Sequence, residues 1–231
     1  MSDSVLGDHV ALIADDLLLL LLGDGSGRPV VNGSERDTAI AGAVMLELIG
    51  SGKVEITGSE EAPERIEIVV VDRSTTGDEV LDQALSRLPE KPVKLRKAVQ
   101  RSAASDRDAV LKRMIRKGKI SREDMSLFGV TRVRSWPPAY GKHVETFAER
   151  LREVLVDGDE PEERTALLVE LLWASGATHA VVGGDRARVE RRAARIAERD
   201  WSGSAVGLSI RGVRSVMVAA IAAAGGAAAG G

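Results

Sequence analysis

Residues 39–49, AIAGAVMLELI, are apolar on nearly every face, and Glu47 is the one charge among these eleven residues. No lysine or arginine shields such a helix from water, so it belongs in a protein core. Eleven residues at about 1.5 Å each span about 16 Å, half of the ~30 Å hydrocarbon layer of a bilayer, which excludes a membrane span. Gly50-Ser51-Gly52 stops the helix. Lys53-Val54-Glu55-Ile56 then changes the apolar period from about 3.6 to 2, the mark of a short strand. A buried helix, a tight turn and a strand over residues 39–56 are what the rest of the chain must pack around.

Aromatic residues make up only 3% of the chain, so Leu, Val, Ile and Ala must fill its core. That composition favours close helix packing over an all-β sandwich. The fold expected is mainly α: a single globular domain over residues 1–224 with a buried apolar helix core, surrounding amphipathic helices and two small β-hairpins. Residues 225–231 read as an Ala/Gly tail. The absence of Cys removes disulfides, thiolate metal sites and cysteine nucleophiles, and suggests a reducing compartment. The segment MSDSVLGDHV lacks a basic n-region, and Asp15-Asp16 precede the leucine run 17–22, so a cytoplasmic location is expected.

Along the chain, the leucine-rich stretch predicts a helix over 8–22, ended by the turn Gly23-Asp24-Gly25-Ser26-Gly27. Ser34 or Asp37 is the expected cap of the central helix. Alternation over 53–57 and 65–72 predicts a β-hairpin, and Val80, Leu81, Ala84, Leu85 and Leu88 form one stripe of a helix over 78–88. Two helices are expected over 94–102 and 105–117, with Leu111, Met114 and Ile115 inward and the cations outward. A second hairpin around Phe128-Gly129 spans 125–133, followed by the stiff connector 136–140. Further helices are expected over 144–155, 164–175, 185–199 and 206–221.

The net charge of −3 hides an asymmetry: between residues 91 and 122 twelve Lys or Arg face two acids, Asp106 and Asp108, leaving +10 here and −13 elsewhere. Cations beside an apolar hairpin tip, Leu127, Phe128 and Val130, form the two-part design of a peripheral membrane protein. The same cations allow two other readings, a nucleic-acid-binding module and a protein-interaction adaptor without lipid binding. A steep salt slope on DNA would mark the first.

Catalytic and cofactor motifs do not assemble. Gly50-Ser51-Gly52-Lys53 follows a helix and precedes a strand, the reverse of what a phosphate loop needs. His9, His143 and His179 stand far apart without carboxylates at ligand spacing. Asp15-Asp16 and Asp157-Gly158-Asp159-Glu160 read as capping and turn residues. A non-enzymatic protein without cofactor or metal is expected.

Several stretches in order resemble the Golgi phosphoprotein 3 family: Asp15-Asp16-Leu17-Leu18-Leu19-Leu20 with 23–27, Gly42–Leu48 with Gly52-Lys53-Val54, residues 78–85, and Arg116–Ile120 leading to Leu127-Phe128. The similarity runs over about residues 8–222, and the Ala, Arg and Gly richness suggests a bacterial member. The resemblance implies a peripheral membrane protein that recognises phosphatidylinositol 4-phosphate and, in eukaryotes, retains glycosyltransferases by their cytosolic tails. Of the family's headgroup pocket, a Trp and three Arg, only Arg107 is matched; Asn32, Ala41 and Ala104 stand at the other positions. Arg101, Lys97 and Arg36 lie close by and are the candidate substitutes for headgroup binding. The hairpin residues Leu127, Phe128 and Val130 correspond to the family's membrane and self-association hairpin. The implied partners are anionic phospholipid or phosphoinositide headgroups, a membrane-protein tail, and a second copy through that hairpin; nucleic acid is disfavoured.

Overall fold

The computed structural model describes residues 11–22, 30–58, 62–127, 130–135 and 141–198; at 63, 123–127, 130–135 and 141–146 it describes the backbone alone. The described elements are α1 (Ile13–Leu21), α2 (Gly33–Gly50), β1 (Val54–Thr57), β2 (Glu67–Val70), α3 (Glu79–Arg87), β3 (Val93–Lys94), α4 (Leu95–Arg116), β4 (Glu123–Leu127), β5 (Val130–Ser135), α5 (Gly141–Arg152), α6 (Glu163–Ala174), α7 (Thr178–Val182) and α8 (Arg186–Glu198). A single 3-10 turn (Pro63–Arg65) precedes β2, and a π-turn (Glu153–Asp157) continues α5. The mainly α expectation is met. Residues 1–10, the loop 23–27, the tip residue Phe128, the connector 136–140, the helix expected over 206–221 and the Ala/Gly tail lie outside the described residues.

α2 is the central element. From Thr38 to Ile49 every side chain is buried except that of Glu47, which is half-buried, and the helix packs on α1, α3, α4 and α6. Glu47, the one charge in this buried stretch, has a specific task. α1 has no capping side chain of its own at Leu12, and Glu47 Oε1 accepts the Ile13 N–H at 2.6 Å, so α2 caps α1. Burial raises the Glu47 carboxyl above its ordinary range, opposed by that hydrogen bond and by Arg164.

α2 begins earlier than the apolar run implies. Asn32, in extended backbone, accepts the Glu35 N–H at 3.0 Å and is the cap; Ser34 and Asp37 lie inside the helix. A side-chain oxygen two or three residues ahead of free amides is what a cap requires, and Asn32 meets that condition. α3 is capped by Asp78, whose Oδ1 accepts from Val80 N at 2.9 Å.

The first hairpin is present, with β1 antiparallel to β2 and Val54 opposite Val70. A third strand, β3, joins it, pairing Ile68 with Val93. Two residues are too short a run for period-2 patterning to reveal. The second hairpin pairs β4 with β5, and Leu127 stands opposite Val130 in its last rung.

Where two helices were expected across 94–117, there is one, α4. Ala103 and Ala104 are strong helix formers, and no cap forms at Ser105 to start a new helix. Gly118, at φ +65°, and Gly176, at φ +67°, end α4 and α6 in the left-handed conformation that suits glycine. α7 was not anticipated in the sequence.

Two expectations about charge are corrected. Asp15 and Asp16 are not caps but buried ion-pair partners. Arg113 Nε lies 3.1 Å from Asp15 Oδ2, and Arg164 Nη2 lies 2.6 Å from Asp16 Oδ2. Arg113 itself points inward with 4% exposure, bridging Asp15 and Asp78, while Ile115 is exposed. A buried guanidinium is tolerable because two carboxylates surround it, and those carboxylates in turn need it.

Candidate functional site

The site is built on α4 and the N-terminal turns of α2, which run antiparallel. Asp37 of α2 meets Arg107, and Val44 and Met45 share a cleft with Ala98 and Arg101. The twelve cations of the 91–122 segment do not form one uniform face. α3 runs back along the C-terminal half of α4 and answers its charges. Arg116 Nη2 is 2.6 Å from Glu79 Oε2 and Arg113 bridges Asp78, while Asp15 of α1 lies 4.0 Å from Lys117 Nζ. Near the end of α3, Arg87 Nη1 lies 3.2 Å from the buried Asp106.

The start of α4 is different. Lys91, Lys94, Arg96, Lys97 and Arg101 are all exposed, no acid occurs between residues 91 and 105, and none of the five has a carboxylate partner among the described residues. No acidic residue sits in the first turn of α4, and Lys94 at its N-cap makes no side-chain capping bond. Five positive charges at the positive end of a helix dipole are mutually unfavourable and are relieved by an anion. Lys97 and Arg101 stand one turn apart on the same exposed face, about 6 Å along the axis.

Arg107 and Arg36 come together on the shared carboxylate of Asp37 rather than facing open solvent. Arg107 Nη1 donates to Asp37 Oδ2 at 3.0 Å, and its Nε donates to Asp108 Oδ1 at 3.0 Å. Arg36 donates from Nε and Nη2 to Asp37 Oδ1 at 3.0 and 2.9 Å. Asp37 thus sits between two guanidiniums, in the place an external anion would take. Its side chain is only 15% exposed, and those of Arg36 and Arg107 are 13% and 23% exposed.

The remaining positions of the pocket that the resemblance implies supply nothing to an anion. Asn32 is spent as the cap of α2, Ala41 is fully buried, and Ala104 is an exposed methyl group. The four candidate headgroup residues therefore divide into an open pair, Lys97 and Arg101, and a latched pair, Arg36 and Arg107. In the second hairpin, Leu127 and Val130 close the β4–β5 ladder.

Asp37 was expected only as a helix cap, and its part in the site was missed. Its role depends on Arg107, seventy positions away, and no local pattern signals that meeting. No group of three or more metal-ligating side chains gathers among the described residues, and no described helix is long and apolar enough to cross a membrane.

Comparison with known proteins yields two findings. The profile of the Golgi phosphoprotein 3 (GPP34) family matches residues 13–213, most of the chain. No curated protein matches it significantly.

Proposed function

We propose, from the premise that this chain belongs to the Golgi phosphoprotein 3 family, that it is a non-enzymatic peripheral membrane protein that docks on anionic phospholipid. The contact surface is the start of α4, from Lys91 to Arg101, together with the β4–β5 hairpin, whose tip enters the acyl boundary. The observation that carries this reading is the set of five exposed cations without carboxylate partners among the described residues. Each Lys or Arg near an anionic surface contributes about 1 kcal/mol, so five support reversible docking, and an apolar tip adds a second, salt-insensitive part.

This reading departs from a tight, stereospecific headgroup pocket. Ala41 and Ala104 offer no donors, and Asp37 occupies the guanidiniums of Arg36 and Arg107. Recognition then rests on surface charge more than on a particular phosphoinositide.

Co-sedimentation with neutral, generally anionic and phosphatidylinositol 4-phosphate vesicles, at low and high salt, tests it. Binding to both anionic preparations and not to the neutral one is expected, weakened by salt and by the double substitution Lys97→Glu, Arg101→Glu. Phe128→Asp is expected to reduce the binding that survives high salt. Absence of binding to every vesicle would overturn the proposal, and binding to the phosphatidylinositol 4-phosphate vesicles alone would restore the stereospecific pocket.

A further inference from the structure

Ala98, Ser102 and Asp106 recur every fourth residue of α4, so they line one face, next to the face that carries Arg107. Along that line a cleft of about 300 Å³ opens between α2, the C-terminal end of α3 and the first turns of α4. Its floor is apolar: Val44, Met45, Ala84, Leu88 and Ala98 are all less than one-tenth exposed. Three charged side chains reach it, Arg87, Arg101 and Asp106.

These charges are not equivalent. Asp106 is 2% exposed, and its Oδ1 accepts from Arg87 Nη1 at 3.2 Å, so the Asp106 carboxylate offsets the charge of the exposed Arg87 at the wall. Arg101 is exposed at the rim and has no carboxylate partner among the described residues. The lining therefore carries one positive charge in excess, placed at one edge of an apolar cavity.

A dry cavity of about 150 Å³ lined by aliphatic side chains is enough to hold a benzene ring. Twice that volume accepts a body of about two rings or a medium-length alkyl chain, at the small end of the range of ligand sites. We infer that this cleft binds a small monoanionic amphiphile, its apolar body against Val44, Met45 and Ala98 and its carboxylate, sulfonate or phosphate on Arg101. The inference does not rest on the membrane-docking proposal, because the same chemistry is available from a soluble medium-chain acid and from the end of a bilayer lipid.

The test is calorimetric titration of the intact protein with sodium decanoate below its micelle concentration, with decyltrimethylammonium as the opposite-charge control. Saturable one-to-one binding of decanoate and none of the cation is expected. Arg101→Ala, an exposed change that leaves the core untouched, is expected to weaken decanoate binding at least about tenfold, as the loss of a charge-assisted contact does. Lys97→Ala, which lies off the cleft, should leave decanoate binding unchanged while reducing vesicle binding, which separates the two sites. Ala98→Trp should fill the cleft and abolish uptake; its folding is checked by circular dichroism, and Arg101→Ala serves alone if it is unfolded. Failure of decanoate to bind the unsubstituted protein, equal binding of the cation, or an Arg101→Ala affinity equal to that of the unsubstituted protein would each overturn the inference. If decanoate displaces the protein from anionic vesicles, the natural ligand is a bilayer lipid; if the decanoate complex still sediments with them, it is a soluble acid.

Discussion

Replacing Asp37 by Asn is expected to strengthen docking on anionic vesicles. In the folded protein the Asp37 carboxylate takes three donor contacts from two arginines, at 2.9 to 3.0 Å, and all three side chains are less than one-quarter exposed. Asparagine keeps the shape and an acceptor oxygen but removes the charge that holds Arg36 and Arg107. Two cations released toward an anionic surface are worth about 2 kcal/mol, or about thirtyfold in partition. Asp108 still engages Arg107 through its Oδ1 at 2.9 Å, so the gain should fall nearer five- to tenfold, on the order of 1 kcal/mol. The fold itself loses the partly buried ion pairs of Asp37 with Arg36 and Arg107, a cost on the order of 1 kcal/mol in stability that a urea titration will register. Vesicle co-sedimentation at about 0.1 M and about 1 M salt reads the effect, because screening lengths of about 10 and 3 Å separate its charge-driven part. The second substitution Arg107→Ala should return binding toward its starting level. Unchanged or weaker binding by a folded Asp37→Asn protein would refute the idea that Asp37 competes with an external anion.

Three further outcomes concern stability. Arg113→Ala strands the buried Asp15 and the N-cap Asp78 without their shared guanidinium and should cost about 3–5 kcal/mol in urea-induced unfolding, whereas Arg116→Ala, at an exposed pair, should cost less than about 1 kcal/mol. Glu47→Leu leaves the first N–H of α1 without its acceptor and should lower stability by about 0.5–2 kcal/mol, while Glu47→Gln, which keeps an acceptor, should cost less; equal losses would show that the hydrogen bond is unimportant. The pH dependence has two limbs. The Asp72 carboxyl is held down to about 2 by its hydrogen bond to Lys53 and then by Ser74, so its contribution is full above the ordinary value of 3.8 and is lost as pH falls toward 2. Burial raises Asp15, Glu47 and Asp106, so their neutral forms favour the folded state, and that contribution is lost as pH rises through their folded values. The urea midpoint should peak on the acid side of neutrality, and Asp72→Asn should flatten only the limb below about pH 4; a midpoint climbing steadily from about pH 5 to 8 would contradict this assignment.

Much of the fold was legible because its signals are local. The all-apolar run of α2 could lie nowhere but the core, and the stripe Val80, Leu81, Ala84 and Leu85 marks the buried face of α3. Boundaries were less legible where hydrophobicity was the only guide. The polar first turn of α2 carries no apolar residue to extend the pattern back to Asn32, and Ala103-Ala104 resembled a gap in the amphipathic stripe of α4 when it is strong helix former. Strand β3 is too short to carry a period at all.

Charge is where local reading reached its limit. Counting residues 91–122 correctly found an excess of cations, but it treated them as one face. The fold separates them, burying Arg113, latching Arg107 to Asp37, laying the acids of α3 along the C-terminal half of α4, and leaving Lys91 to Arg101 without carboxylate partners among the described residues. Hydrophobic burial depends on a residue's own chemistry and on neighbours three or four positions away, so the sequence by itself determined most of the described helices and most of the apolar faces that turn inward. An ion pair depends on distance in space, and its partners here stand 70 positions apart for Arg107 and Asp37 and 148 for Arg164 and Asp16. Only the tertiary structure decided which charges remain available to a ligand, because Coulomb attraction acts over a few ångströms of space and takes no account of separation along the chain.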